Sequence, residues 1–322
     1  MKKFFKSFII VTILSIFLLM PAAHAKTFLV LIDGSTGTTW YLASAKIAEV
    51  LARELPDLSV NVTLGGGVSN VHSVNKKESD LGTSFAKTCR DAVDGKPPFD
   101  SKLENIRGMV SLYGSTGHIV TLKKYNITRV EQLKDKRIAV GRRGFSAERW
   151  AKSLLETHGL SYENIEQAGG MISFSAYGEA RMMMADGHLD AIFVLGSLPT
   201  AFILELQATQ AVDLIKVSDQ KLKEFRQKHP GYIPDVIPAG TYKGQNEDIK
   251  TTGDGSILLI HKDVSEDLVY NMTKTILENY EEIGKVHVTV KKGLKPENAL
   301  KYLTIPVHPG AMRYYKEKGL MK

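Results

Sequence analysis

Residues 27–55 read TFLVLIDGSTGTTWYLASAKIAEVLAREL. The apolar run Phe28–Ile32 breaks into Asp33-Gly34-Ser35-Thr36-Gly37-Thr38-Thr39 and resumes as Trp40-Tyr41. Tyr41, Ser44, Ala45, Ala48, Leu51, Ala52 and Leu55 then recur at the spacing of one helix face. The stretch reads as strand, small-residue loop, helix. Such a loop at a helix start leaves backbone N–H groups without intrahelical partners, and the helix dipole adds partial positive charge there. An anion fits that environment. A plain helix cap satisfies the same residue pattern, since Ser and Thr are favoured at that position. The loop lacks the Gly-Lys-Ser/Thr of a Walker P-loop and the third glycine of a dinucleotide fingerprint.

The same pattern returns downstream. The alternating Ser59–Thr63 ends in Gly65-Gly66-Gly67-Val68-Ser69-Asn70, and a short helix is expected over Val71–Lys77. The short strand Asp80–Ser84 leads into a helix reaching Val93. In an open parallel sheet these three turns lie together at the carboxyl edge of the strands, where ligands bind. Asn105–Tyr113 and Gly117–Leu122 read as two separate strand-like runs. The strand Arg137–Val140 is followed by the loop Gly141-Arg142-Arg143-Gly144-Phe145-Ser146, and by a helix carrying Ala147, Trp150, Ala151, Leu154 and Leu155 on one face. Alternation continues through strand-like Gly170–Phe174, helix Ala176–Ala185, strand Asp190–Leu195, helix Thr200–Gln207 and strand Val212–Val217. Past Lys228, His229-Pro230-Gly231 and Ile237-Pro238-Ala239-Gly240 break the chain, and the segment reads as irregular. Ser256–Ile260 is strand-like, Ser265 caps a helix to about Ile283, and Pro296–Tyr302 and Pro309–Lys318 look helical.

Residues 1–25 carry the pattern of a secretory signal. Lys2, Lys3 and Lys6 precede a largely apolar run from Phe8 to Met20, and Pro21-Ala22-Ala23-His24-Ala25 supplies a cleavage site after Ala25. That run is too short for a comfortable membrane span. Without the three signal lysines, 39 basic residues face 35 acids, a net +4. No block of like charges points to nucleic acid. Cys89 is the only cysteine, so no internal disulfide is available, and its expected role is that of a small buried apolar residue. Asn-x-Thr triplets begin at Asn61, Asn126 and Asn271; they matter only in a host that glycosylates secreted chains.

Together these features predict an α/β chain of the periplasmic-binding-protein type II kind, with a ligand cleft between two lobes. Lobe 1 is expected over 26–117 plus 250–322, and lobe 2 over 118–249. No Gly-x-Ser-x-Gly elbow or His-Glu-x-x-His occurs, and the nine histidines show no metal-ligand spacing, so no enzyme activity, metal or cofactor is expected. His118, His188, His261 and His308 read as structural. The Met182-Met183-Met184 run reads as core.

Three segments resemble the TAXI solute receptors of TRAP transporters, tripartite carriers driven by an ion gradient. They are Gly34-Ser35-Thr36-Gly37-Thr38-Thr39-Trp40-Tyr41, Ile237-Pro238-Ala239-Gly240-Thr241-Tyr242-x-Gly244-Gln245, and Ile305-Pro306-Val307-His308-Pro309-Gly310-Ala311-Met312-Arg313-Tyr314-Tyr315. The resemblance runs over residues 27–319 and implies a monomeric periplasmic receptor that delivers a small organic anion to a TRAP permease. A ligand-reporting protein docking on a membrane sensor fits the same features. The chain departs from the family in three loops. Leu64–Asn70 stands where Thr-Gly-Gly-Ser-Val-Glu-Asn is usual, Gly141–Ala147 where Gly-x-x-Gly-Ser-Gly-Thr is usual, and Phe85 where Gln is usual.

The expected ligand-binding set is Ser35, Thr36, Gly37, Thr38, Thr39, Tyr41, Gly67, Asn70, Ser84, Phe85, Arg142, Arg143, Ser146, Tyr177, Ser197 and Tyr242. Of the adjacent Arg142 and Arg143, one is expected to enter the cleft, because arginine pairs with carboxylates through a planar fork. Trp40 and Tyr41 read as half core and half cleft wall. Surface or hinge packing is an equal reading of Tyr177 and Tyr242. The expected ligand is a small di-acid or keto di-acid. One carboxylate would sit on the N–H groups of Gly37–Thr39 and the other on an arginine, with Phe85 as an apolar wall.

Overall fold

A computed structural model describes residues 26–321. The expected signal segment, residues 1–25, lies outside the described residues. One ten-stranded sheet runs through the molecule in the order β2 (Leu58–Thr63), β1 (Thr27–Ile32), β3 (Leu81–Phe85), β10 (Ile249–His261), β4 (Ile106–Leu122), β7 (Ala191–Gly196), β5 (Arg137–Ala139), β6 (Met171–Ser173), with β8 (Val212–Leu214) on β4 and β9 (Ile233–Ile237) on β10.

The first half of the sheet begins with β1 (Thr27–Ile32), α1 (Thr39–Glu54), β2 (Leu58–Thr63), α2 (Gly67–Asn75), β3 (Leu81–Phe85) and α3 (Ala86–Asp94). Both β2 and β3 pair parallel to β1. Then β4 (Ile106–Leu122) leads to β5 (Arg137–Ala139), α4 (Ser146–Thr157), β6 (Met171–Ser173), α5 (Tyr177–Ala185), β7 (Ala191–Gly196), α6 (Ala201–Gln207) and β8 (Val212–Leu214). Both β6 and β7 pair parallel to β5. The chain returns through α7 (Asp219–Lys228), β9 (Ile233–Ile237) and the long β10 (Ile249–His261), and closes with α8 (Glu266–Glu278) and α9 (Pro309–Glu317).

Two strands join the halves. β4 pairs with β10 from Ile106 to Thr116, then with β7 from Thr116 to Thr121. β10 pairs with β3 and β4 at its carboxyl end and with β9 at its amino end. The expected break between Tyr113 and Gly117 is therefore absent: β4 is a single 17-residue strand. Its small residues serve close packing instead of a turn. A Cβ on Gly117 would lie 2.2 Å from the Trp150 ring, and one on Gly255 of β10 would lie 2.1 Å from Tyr302.

The buried face of α1 also differs from the sequence reading. It consists of Ala43, Ser44, Ile47, Val50 and Leu51, whereas Ala45 and Ala52 are exposed. Burying the larger Ile47 and Val50 removes more apolar area from water than burying alanines, and this sets the rotation of the helix. These side chains share a core with Met272 and Ile276 of α8 and Tyr315 of α9. The carboxyl-terminal helices thus pack back on the first half. Beyond Lys228 the chain is not irregular, since β9 adds an edge strand to β10. Pro234 hides that strand in the sequence, and an edge position is where proline is tolerated.

Candidate functional site

The six loops that follow β1, β2, β3, β5, β6 and β7 converge on one cavity of about 440 Å³. A parallel strand followed by a helix points its loop to the carboxyl edge of the sheet, and two such units facing each other enclose a cleft. Gly34 to Trp40, Gly66-Gly67 and Phe85 come from the first half. Gly141-Arg142, Phe145 to Ala147, Ser175 to Glu179 and Leu195 to Ser197 come from the second.

Of the sequence-predicted residues, Ser35, Thr36, Gly37, Thr38, Thr39, Gly67, Phe85, Arg142, Ser146, Tyr177 and Ser197 line this cavity. Tyr41, Asn70, Ser84, Arg143 and Tyr242 do not. Local contacts account for Asn70, Ser84, Arg143 and Tyr242. The Tyr41 backbone N–H donates to Thr38 Oγ1, which caps α1. Asn70 is fully buried beneath the loops and ties three of them together. Its Nδ2 donates to the carbonyls of Asp33 (3.0 Å) and Thr83 (2.8 Å), and its Oδ1 accepts from Gly66 N (2.8 Å). Ser84 donates to the Gly67 carbonyl. The Arg143 guanidinium lies 3.7 Å from the centre of the Phe174 ring, outside the cleft. The Tyr242 hydroxyl is committed to Thr200 N and His118 Nε2.

Wall residues that the sequence reading did not single out include Tyr113, Phe145, Glu179, Phe202 and Glu205. Phe145 carried a signal, because it sits in a loop at a helix start. Tyr113 and Phe202 carried none, as both read as ordinary core residues of a strand and a helix.

Helix starts supply much of the polar character. α1, α2, α4 and α5 all begin at the cavity wall, and neither α4 nor α5 has a side chain capping its first turn. A helix start without a cap leaves its first N–H groups without intrahelical partners. Tyr177 is held by Leu195 N, which donates to its hydroxyl at 3.1 Å, and burial pushes that hydroxyl up to about 12. Beneath the first loop, burial raises the Asp33 carboxyl, to which the Thr83 hydroxyl donates.

The two halves also touch around the cavity. Thr39 Oγ1 donates to Ser197 Oγ, and the Thr88 and Ser146 hydroxyls are 2.8 Å apart. Arg149 Nη2 donates to Asp91 Oδ2 at 2.7 Å, an ion pair with little exposure. Thr289 brackets Leu198, accepting from its N–H and donating to its carbonyl. These contacts join the two halves across the cleft.

A family model described as NMT1-like matches residues 32–319. The chain belongs to the NMT1-like family. That match spans both halves of the sheet and all six cavity loops. Among solved structures, this NMT1-like chain is similar to a protein of Bordetella bronchiseptica RB50, with a TM-score of 0.55 at 15% identity, covering 91% of this chain and 98% of that one. A structure described as a periplasmic transporter gives 0.52 at 15% identity, covering 91% and 93%. The alkanesulfonate-binding protein SsuA from Xanthomonas axonopodis pv. citri, bound to MOPS, gives 0.46 at 14% identity, covering 91% and 84%. At such identities the likeness is one of fold alone.

Proposed function

We propose that this protein is an extracytoplasmic solute-binding protein that captures a small organic anion in the cleft and delivers it to a membrane permease. The observation that carries the reading is the cavity itself: about 440 Å³, walled by loops of both sheet halves and closed by contacts between them. Helix starts around the wall favour negative charge, each by about 0.3–1 kcal/mol. Arg142 adds a cation on the wall. The signal-like residues 1–25 support a periplasmic location. Among the described residues, no helix is long and apolar enough to cross a membrane. The resemblance in residues 34–41, 237–245 and 305–315 supports a TRAP-type permease as the receiver.

The crossing strands act as the hinge, near Gly114–Gly117 in β4 and Gly253–Gly255 in β10. Lobe 1 is then 26–117 plus 250–322, and lobe 2 is 118–249. Ligand enters the open form and shifts the population to the closed one. A ligand that binds only the native state raises stability by RT ln(1 + [L]/Kd). A thermal-shift screen of organic acids and amino acids, followed by X-ray scattering of the hits, tests this. Stabilisation with a smaller radius of gyration is expected. A screen in which no organic anion stabilises the protein overturns the reading.

A further inference from the structure

Resting on that reading of the cleft, we infer that its solute is a singly charged organic acid with an apolar ring as its body, in place of the aliphatic di-acid that the sequence suggests.

The first ground is size. An apolar cavity of about 150 Å³ holds one benzene. A cavity of about 440 Å³ therefore has room for a ring with a substantial side arm. A short aliphatic di-acid leaves much of that volume to water.

The second ground is the wall. Trp40, Phe85 and Tyr113 from the first half face Phe145, Tyr177 and Phe202 from the second. Several of these rings are fixed before any ligand arrives. Trp40 Nε1 donates to Ser256 Oγ at 2.7 Å, and its ring meets Phe85 with centroids 4.6 Å apart. Tyr177 is held at Leu195 and stacks on Phe202 at 5.7 Å. Fixed rings prefer a planar apolar partner, which they meet offset or edge to face.

The third ground is polar supply. The hydroxyls of Thr38, Thr39, Ser146 and Thr200 already have protein partners in Ser35 O, Ser197 Oγ, Thr88 Oγ1 and Ser197 O. Among the described residues, the charged side chains on the wall are Arg142, Glu179 and Glu205. Glu205 pairs with Arg181 at 3.2 Å. Arg142 and the helix starts satisfy one carboxylate. A second carboxylate finds no second cation on the wall, whose other charged side chains, Glu179 and Glu205, are both acidic.

Calorimetric titration of the purified protein tests this. The probes are 3-phenylpropionate, phenylpyruvate, the neutral 3-phenylpropionamide, succinate and 2-oxoglutarate. The ring acids are expected to bind at least tenfold more tightly than the di-acids, and the amide at least tenfold more weakly than its acid. Glu179→Gln is expected to strengthen di-acid binding at least threefold more than it strengthens ring-acid binding. Di-acids binding more tightly than ring acids overturn this inference and leave the solute-binding reading intact. An amide that binds as well as its acid removes the need for charge and also overturns it. If no probe binds and the wider organic-anion screen is also silent, both readings fall.

Discussion

Thr39 Oγ1 donates to Ser197 Oγ at 2.8 Å, joining the start of α1 to the loop after β7 across 158 positions of sequence. Both hydroxyls lie on the cavity wall. A contact of this kind exists only while the two halves are together, so it favours their association. The Arg149–Asp91 ion pair does the same. Contacts unique to one state bias the population by their free energy, and the apparent affinity follows the fraction that is closed.

Gly66 gives the sharpest test of closure. Its backbone is extended, at φ −159° and ψ 154°, so alanine costs nothing locally. A Cβ there would lie 2.3 Å from the ring of Phe145, which belongs to the other half. Gly66→Ala should leave unliganded stability within about 0.5 kcal/mol of wild type. Solute affinity should fall at least tenfold, or about 1.4 kcal/mol. Calorimetric titration and an unliganded melt separate the two effects. Undiminished affinity would mean that solute binds a form other than this closed one.

Asp254 sits in β10 at the crossing between the halves. Burial pushes its carboxyl from 3.8 up to about 8, although Lys87 N and Gly255 N donate to it. The unfolded chain releases this proton near pH 4, and the folded chain keeps it to about pH 8. The folded state thus binds more protons in that window, and this group's contribution to stability falls as pH rises through it, by at most about 1.4 kcal/mol per unit. Asp254→Asn should gain stability relative to wild type steadily from pH 4 to pH 8 and no further above that. Urea unfolding of both proteins across the window measures the difference.

His118 has the opposite sign. Its ring is fully buried on β4, and burial pushes it from 6.5 down to about 4. The unfolded chain takes up a proton below pH 6.5, while the folded chain resists until about pH 4. This group's contribution to stability is therefore complete above pH 6.5 and is lost as pH falls towards 4. In His118→Gln the acid side of the stability profile should be flatter over that range. An unchanged slope in the variant would assign the acid transition to other groups.

What the sequence made legible was local. A small-residue loop between an apolar run and a helical stripe is visible at Asp33–Thr39 and again at Gly141–Ser146, and the six-loop cavity follows from repeating that unit. What stayed hidden depends on distant partners. Gly114-Ser115-Thr116 looks like a turn until Trp150 and Tyr302 are seen to need the space beside Gly117 and Gly255. Arg142 and Arg143 are indistinguishable in the sequence. Phe174, far along the chain, takes Arg143 out of the cleft. Asn70 looks like a ligand donor in a glycine loop, yet both Nδ2 hydrogens go to the carbonyls of Asp33 and Thr83, and its Oδ1 accepts from Gly66 N.

Tyr242 shows how the motif at Ile237–Gln245 reaches the cleft from outside it. His118 Nδ1 lies 2.9 Å from the Thr116 carbonyl and must carry the proton there, so Nε2 is an acceptor. The Tyr242 hydroxyl donates to that Nε2 at 2.9 Å and accepts from Thr200 N at 2.9 Å. One phenol thus links strand β4 to the segment carrying Ser197, whose hydroxyl meets Thr39. Tyr242→Phe keeps the ring but leaves a buried nitrogen and a buried N–H without partners. The expected cost is roughly 1–3 kcal/mol of stability. A chain of this size loses about 2–4 °C in melting temperature per kcal/mol. Because the Ser197 segment loses its anchor, solute should also dissociate faster, while the ranking of different solutes stays as in wild type. Stopped-flow dissociation following tryptophan fluorescence, run beside the melt, distinguishes the outcomes. A lowered melting temperature with an unchanged dissociation rate would confine Tyr242 to the packing of the second half.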